Sequence, residues 1–346
     1  MIDNTDIRSM FPEEIAAICK EMGLPSFRTE QIFKWLHVEA VDSFDEMSNL
    51  SKDLRKKLSD VYKIFNCTIE KKQVSLYDST VKYLFRLHDG EFVESVLMKY
   101  KYGYSLCVSS QVGCRMGCTF CASTLMGVVR SLSASEILSQ IFAVQKDMQI
   151  RVSHVVMMGM GEPLDNYDNT LRFLKLATHP KGLNLSMRNI SLSTCGIVPN
   201  IYRLMEEKLQ FTLSVSLHAP NDEIRTSMMP VNKKWNVDTL LKACRDYTNA
   251  TSRRISFEYS MVKGTNDSDA CAYELAEKLK GMLCHVNLIP VNAVDETGCI
   301  GSTPERVRKF AAILENHGIT ATVRRTLGAD IDAACGQLRR KQMKGE

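Results

Sequence analysis

From residue 104 onward, stretches that read as strands alternate with stretches that read as helices. Strand-like runs fall at 104–109, 153–158, 189–193, 211–217, 254–260, 284–291 and 319–324, with helical runs near 134–148, 168–178, 197–207, 237–248, 268–280 and 304–317. Strands separated by a helix are joined by crossovers, so they lie parallel, and such crossovers are right-handed. The pattern allows an open sheet, a full barrel or a partial barrel. In each of these the chemistry collects at the C-terminal ends of the strands. Residues just after the strand runs are therefore the first candidates for function. No internal repeat or low-complexity linker interrupts the alternation.

The first 100 residues follow other periods. Residues 1–62 read as a helical domain. Thr29 precedes an apolar stripe of Ile32, Phe33, Trp35 and Leu36, and Ser51 is an N-cap for a helix carrying Leu54, Leu58 and Val61. Residues 63–100 read as a β-hairpin extension. Val81, Tyr83, Phe85 and Leu87 alternate, Asp89-Gly90 makes a turn, and Phe92, Glu94, Val96 and Met98 alternate again. Glu94 thus shares a face with three apolar residues. Burial there disfavours the charged form, unless the strand is an edge whose face is wet. Residues 101–346 form the core of the chain.

Twelve cysteines occur in 346 residues. The start, Met1-Ile-Asp-Asn-Thr-Asp, is not a secretory signal, and no apolar run reaches the length of a membrane span. The thiols are therefore expected to be reduced, metal-ligating or catalytic, and the compartment cytoplasmic. The net charge of +4 says little about partners. Its placement says more: Arg324, Arg325, Arg339, Arg340, Lys341 and Lys344 face only Asp330 and Asp332. Such a tail suits nucleic-acid phosphate or is a solvated surface.

Directly after the first strand of the core come Cys114, Cys118 and Cys121, spaced C-x3-C-x2-C. Three thiolates are one short of a closed site. A four-iron cluster held by three cysteines leaves one iron open to another ligand, and zinc would want a fourth partner. Gly113 and Gly117 let backbone approach a cofactor closely, and Phe120 precedes the third cysteine. The next strand ends in Met157-Met-Gly159-Met-Gly161-Glu162-Pro163, where Glu162 is an acceptor for an ammonium group. Ser193, Ser216-Leu217-His218 and Asn292 end three more strands. Singly, each reads equally as an ordinary strand-end hydrogen-bonder; together they line one mouth. Cys335, flanked by Ala333, Ala334 and Gly336, and Cys107 are isolated thiols. Cys19, Cys67, Cys195, Cys244, Cys271, Cys284 and Cys299 read as small buried hydrophobes.

The C-x3-C-x-aromatic-C signature resembles that of the radical S-adenosylmethionine superfamily. Four longer strings narrow the resemblance: Cys107-Val-Ser-Ser-Gln-Val-Gly-Cys114, Met-Gly-Met-Gly-Glu-Pro, Ser-Leu-His-Ala-Pro and Asp-Ile-Asp-Ala-Ala-Cys-Gly-Gln-Leu. They are similar to the RlmN/Cfr family of radical S-adenosylmethionine RNA methyltransferases over nearly the whole chain. Pro163 looks like the branch that methylates adenine C2; the alternative is the C8 branch. A different class, a non-catalytic iron–sulfur RNA-binding protein, stays as a rival.

The resemblance implies an α/β fold: a partial (β/α)6 TIM-like barrel with a helical accessory domain that contacts RNA. It implies a 4Fe-4S cluster on Cys114, Cys118 and Cys121. It implies two molecules of S-adenosylmethionine per turnover, bound by Gly161, Glu162, Ser193, Ser216, Leu217, His218 and Asn292. It further implies that Cys335 carries a methyl group, that Glu94 accepts a proton, and that Cys107 releases the product by pairing with Cys335 in a disulfide. The implied substrates are adenosine 2503 of 23S rRNA and adenosine 37 of some tRNAs. A flavodoxin-type electron donor and a monomeric state are expected with them.

Overall fold

The computed structural model describes residues 5–290, 299–325, 327–328, 330–331, 338–339 and 342. Asn292 and Cys335 lie outside the described residues. The chain opens with helices α1 (Pro12–Glu21), α2 (Phe27–His37) and α3 (Lys52–Val61). Pro12 starts α1 where its missing N–H costs nothing, and Ser51 Oγ accepts from Leu54 N at 3.3 Å to cap α3. Ile32, Phe33 and Leu36 are buried as their spacing predicts, whereas Val61 is exposed. Trp35 is half-buried and donates its indole N–H to Asn49 Oδ1 at 2.6 Å. Asp6 Oδ2 accepts from Ser135 Oγ at 2.6 Å, so the N-terminal unit is bonded to the start of the first core helix.

Four antiparallel strands follow: β1 (Thr68–Val74), β2 (Val81–Arg86), β3 (Phe92–Tyr100) and β4 (Gly103–Cys107). A small hairpin of β5 (Gln111–Gly113) and β6 (Val128–Ser131) stands apart. Next come α4 (Ala134–Met148), β7 (Val152–Met157), α5 (Tyr167–Ala177), β8 (Ile190–Thr194) and α6 (Val198–Glu206). The chain continues through β9 (Thr212–Ser216), α7 (Asp222–Met228), α8 (Val237–Thr251), β10 (Ile255–Met261) and α9 (Asp269–Leu279). It closes with β11 (Cys284–Pro290), α10 (Pro304–Asn316) and β12 (Ala321–Val323).

One ten-stranded sheet runs β1-β2-β3-β4-β7-β8-β9-β10-β11-β12, parallel from β4 onward. Among the described residues six strand–helix units and a short seventh parallel strand make up the core, so the α/β, partial-barrel expectation holds. The sheet's two faces differ. Val155, Leu192, Val215, Phe257 and Leu288 are buried in the hydrophobic core. Their neighbours in sequence, Val156, Ser191, Ser214, Ser256, Glu258 and Asn287, line a cavity of about 440 Å³ together with Ser105 of β4. A closed barrel core would carry bulky aliphatic residues on that face; hydroxyls, a carboxylate and an amide there mark a lumen built to hold polar matter.

The antiparallel extension also borders this lumen. Met98 and Tyr100 of β3 and Arg324 beyond β12 line the same cavity. The chain after β12 then reaches back to the extension. Leu327 packs on Val96, Met98 and Cys107. Gly328 N donates to Asp78 at 2.9 Å, and Asp330 accepts from Ser75 Oγ and Leu76 N, each at 2.6 Å. Among the described residues no helix is long and apolar enough to cross a membrane.

Candidate active site

The cysteine loop hangs from a pinched base. β5 pairs with β6, and Cys114 N donates to Gly127 O at 2.9 Å across the neck. Gly113 has φ +80°, and a Cβ there would strike the Gly127 carbonyl, so only glycine fits. Inside the loop Cys121 N donates to Cys118 O at 3.1 Å, and Thr124 Oγ1 donates to both Cys118 O (3.2 Å) and Cys121 O (2.9 Å). Thr119 N donates to Met228 O at 3.0 Å, which fastens the loop to the end of α7.

The thiols sense one another. Burial pushes the Cys114 thiol up to about 12, with further contributions from Glu162 and Cys121. Cys118 is likewise raised, by burial first and then by Cys121 and Cys114. Such a cluster stays protonated alone and ionises when a bound cation compensates it. Cys114, Cys118 and Cys121 share one loop and lie within electrostatic reach of one another, and three cysteines are the protein ligands of a four-iron cluster with one open iron. The donor set fits the cluster.

Glu162 lies beside this loop, deeply buried. Its Oε1 accepts from Leu164 N at 2.9 Å and its Oε2 from Cys195 N at 2.7 Å, and burial raises its pKa despite those bonds. The Thr194 and Cys195 side chains also hydrogen-bond to this carboxylate. Its backbone N–H is held by Gln111 Oε1 at 2.9 Å. Gly161 precedes it at φ +100°, and a Cβ there would meet Gln111 at 2.6 Å, so the turn closes only around glycine.

Ser193 and Ser216 are inward residues of β8 and β9, on the face shared with Ser191 and Ser214. Leu217 N and His218 N donate to Glu258 O at 3.1 and 3.3 Å. His218 is buried with the left-handed φ of +58°, uncommon for a residue with a Cβ. Its Nδ1 accepts from Ser260 N at 2.9 Å, so the ring proton sits on Nε2. Burial lowers its pKa to about 3, with Arg225 adding to the effect, and the imidazole is neutral. The Phe120 ring packs edge-on against it at 4.8 Å. The cysteine loop and the end of β9 therefore touch.

Glu94 departs from its sequence reading. β3 is an internal strand, flanked by β2 and β4, so its face is not a wet edge. Val96 and Met98 on that face are buried and apolar as expected, but the carboxylate does not stand alone among them. The register sets Leu84 opposite Glu94 and Lys82 opposite Val96, and Lys82 Nζ meets Glu94 Oε2 at 2.5 Å with both side chains buried. Arg339 N donates to Glu94 Oε1 at 2.5 Å, and Arg339 Nη2 to Glu91 Oε2 at 3.0 Å. Arg339 is buried, which removes it from the basic tail expected to face RNA. Cys107, buried at the end of β4, is paired in register with Val96 and packs against Val96 and Met98.

Cys335 is four residues from Arg339 and four from Ile331, whose N–H donates to Gly328 O at 3.2 Å. The described residues on either side of it, Asp330 and Arg339, both bond to the extension. Among the described residues no disulfide joins two cysteines; the pairing implied for Cys107 involves Cys335.

Sequence reasoning missed Lys82, Cys195 and Arg225. Lys82 was legible: folding the strands about Asp89-Gly90 puts it diagonal to Glu94. Cys195, read as a plain buried thiol, lies against Glu162 and within electrostatic reach of Cys118. Nothing in its local sequence sets it apart, and Arg225 looks like a solvated helix residue.

Fold and site together define a radical S-adenosylmethionine enzyme. The family model described as the radical SAM superfamily matches residues 108–276, and the one described as the ribosomal RNA large subunit methyltransferase N-terminal domain matches residues 5–64. The crystal structure of a radical SAM methyltransferase from Sphaerobacter thermophilus superposes with a TM-score of 0.92, at 41% identity, over 96% of this chain and 98% of that one. A probable dual-specificity RNA methyltransferase RlmN of Lachnospira eligens is 52% identical over 98% of this chain and 97% of its own length. One from Clostridium novyi is 53% identical over 92% and 93%. The chain belongs to the RlmN family of radical S-adenosylmethionine RNA methyltransferases, which use a 4Fe-4S cluster and S-adenosylmethionine.

Proposed function

We propose that this enzyme methylates C2 of adenosine, at adenosine 2503 of 23S rRNA and at adenosine 37 of some tRNAs. The observation that supports the reading is that described residues on both sides of position 335 bond to the extension carrying Glu94: Asp330 to the β1–β2 turn and Arg339 to Glu94 itself. RNA as the substrate is supported by the dual-specificity RNA methyltransferase relatives; the two adenosines, and C2 from Pro163 after Glu162, rest on the resemblance of the motifs.

Adenine C2 is an electrophilic amidine carbon, which a simple methyl donor does not alkylate. When bound, the cluster and S-adenosylmethionine supply a methyl group and a carbon-centred radical. Cys114, Cys118 and Cys121 hold the iron. Glu162, Gly161, Ser193, Ser216, Leu217, His218 and Asn292 hold the nucleoside and amino-acid parts of S-adenosylmethionine. His218, neutral with its proton on Nε2, is a donor throughout the working pH range.

Cys335 carries the one-carbon unit as a thioether and delivers it to C2, joining base to protein. Glu94 takes the C2 proton, with Lys82 balancing its charge. Loss of that proton restores the aromatic ring once one electron also leaves, its acceptor being the oxidised iron–sulfur cluster when bound. The Cys107 thiolate then attacks the Cys335 sulfur. An S–S bond forms, the carbon–sulfur bond breaks, and the carbon leaves with the electron pair and takes a proton as methyl. The disulfide is reduced before the next turnover by an external donor. Reaching C2 requires the base out of its stack, and the N-terminal helices and the remaining basic residues of the tail are the RNA contacts.

Digestion of treated rRNA and tRNA to nucleosides tests this directly. 2-Methyladenosine from both substrates is the expected product; 8-methyladenosine would assign the other branch, and unmodified RNA with intact S-adenosylmethionine would leave a non-catalytic binder.

A further inference from the structure

Arg225 is fully buried on the inner side of α7. Its guanidinium donates to Cys195 O at 2.7 Å, Leu217 O at 3.0 Å, Ser216 O at 3.1 Å and Asn232 Oδ1 at 3.0 Å. All four acceptors are neutral. Asp222 makes no ion pair with it and is hydrogen-bonded instead to Asn232, whose Nδ2 donates to Asp222 Oδ1 at 3.0 Å. A buried charge is ordinarily paired, because an unpaired one in a low-dielectric interior is costly. Among the described residues no carboxylate forms an ion pair with Arg225. The acidic groups its charge reaches are the Cys195, Cys118 and Cys244 thiols and, last, Asp222; of these Cys118 belongs to the cysteine loop, which becomes anionic when a cluster is bound.

α7 is itself wedged between two parts of the site. Its last carbonyl, Met228 O, receives Thr119 N of the cysteine loop, and Pro230 packs 3.4 Å from where a Cβ of Gly117 would sit. On its other side Arg225 binds the carbonyls that end β9 and follow β8. We propose that Arg225 is a positioning residue for the iron–sulfur cluster: it fixes the strand ends bearing Ser193, Ser216 and Leu217 relative to the cysteine loop, and it holds a permanent positive charge beside Cys118 that makes the cluster easier to reduce. The inference rests on the cluster assignment. Three thiolates outweigh the charge of an oxidised cluster core, and reduction adds one more negative charge. A fixed cation therefore stabilises the reduced form more than the oxidised form, and the potential rises.

The test is an anaerobic redox titration of the full-length, cluster-loaded enzyme, followed by electron paramagnetic resonance. Wild type, Arg225→Lys, Arg225→Gln and Asn232→Asp are compared at measured iron and sulfide content. Arg225→Gln removes the charge and shifts the midpoint to more negative potential, by roughly tenfold in the reduction equilibrium or about 59 mV. Arg225→Lys keeps the charge and stays near wild type. Asn232→Asp is isosteric, sets a carboxylate against the guanidinium, and shifts the midpoint in the same direction as Arg225→Gln. A purely structural role lowers cluster content without moving the potential of the clusters that remain. Wild-type midpoints in both charge-altering variants would overturn the proposal. Asn232→Asp decides alone if Arg225→Gln assembles no cluster. Absence of an iron–sulfur signal in wild type would instead sink the cofactor assignment.

Discussion

The backbone N–H of Arg339 and the ammonium of Lys82 meet the two oxygens of one buried carboxylate, Glu94, each at 2.5 Å. Glu94 thereby ties the C-terminal segment to an internal strand and balances a buried cation. Breaking one side of such a pair costs about 3–5 kcal/mol, whereas replacing both partners with apolar residues is often neutral. Lys82→Met is expected to destabilise by that order, and Lys82→Met with Glu94→Leu to recover most of the loss. Denaturant unfolding measures both. The double variant should fold yet transfer no methyl. A single variant as stable as wild type would mean that the carboxylate is balanced elsewhere.

Asp330 holds the other end of the same segment from an exposed position. Its carboxylate lies below the usual range because Ser75 Oγ and Leu76 N donate to it. A depressed carboxylate contributes above its unfolded pKa, and that contribution is lost as pH falls through the folded value. Asp330→Ala should change global stability by less than about 1 kcal/mol while making the C-terminal segment more open to protease and slowing methyl transfer. Unaltered cleavage and unaltered turnover together would show that the tether does not matter.

Much of this architecture was readable before any coordinates. The strand and helix runs after residue 104 were visible because period-two and period-3.6 patterns are local properties. The cysteine loop and Glu162 were visible because they follow strand ends. What stayed hidden depends on contacts between segments distant in sequence. Glu94 looked like a carboxylate on an apolar face because Lys82 belongs to the neighbouring strand. Arg339 looked like part of a solvated basic tail because its acceptors lie some 245 residues earlier. Arg225 stayed hidden because three of its acceptors are backbone carbonyls, which no side-chain pattern records.

Acid should weaken the fold through two histidines. Burial holds His37 and His218 at about 3, against an ordinary value of 6.5, with Arg8 and His179 contributing at His37 and Arg225 at His218. Between those values the unfolded chain binds a proton at each site that the folded chain refuses. Stability is therefore full above pH 6.5 and falls as pH drops from there toward 3. Neither ring nitrogen of His37 has a hydrogen-bond partner among the described residues, and the ring stacks on Phe33 at 4.3 Å. His37→Phe keeps that packing and removes the titration. Its melting temperature should match or exceed wild type at pH 8 and fall less steeply from pH 6.5 to 4. Parallel curves for the two proteins would show that His37 titrates normally in the fold.

Cys107 offers the most direct view of the covalent intermediate. It sits buried at the end of β4, packed with Val96 and Met98, and Leu327 of the C-terminal segment packs on the same cluster. In the proposed reaction Cys107 is the thiol that breaks the carbon–sulfur bond. Without Cys107 the adduct between base and Cys335 has no attacking thiolate, while every earlier step keeps its residues. Cys107→Ala is therefore expected to accumulate RNA-linked protein, seen as a shifted band that nuclease digestion reduces to the protein plus one modified nucleotide. Adding Cys335→Ala should abolish the band, and the mass of the purified single variant should lose its methyl when Cys335 is also replaced. If Cys107→Ala alone yields free, normally methylated RNA at wild-type rate, release does not pass through this thiol.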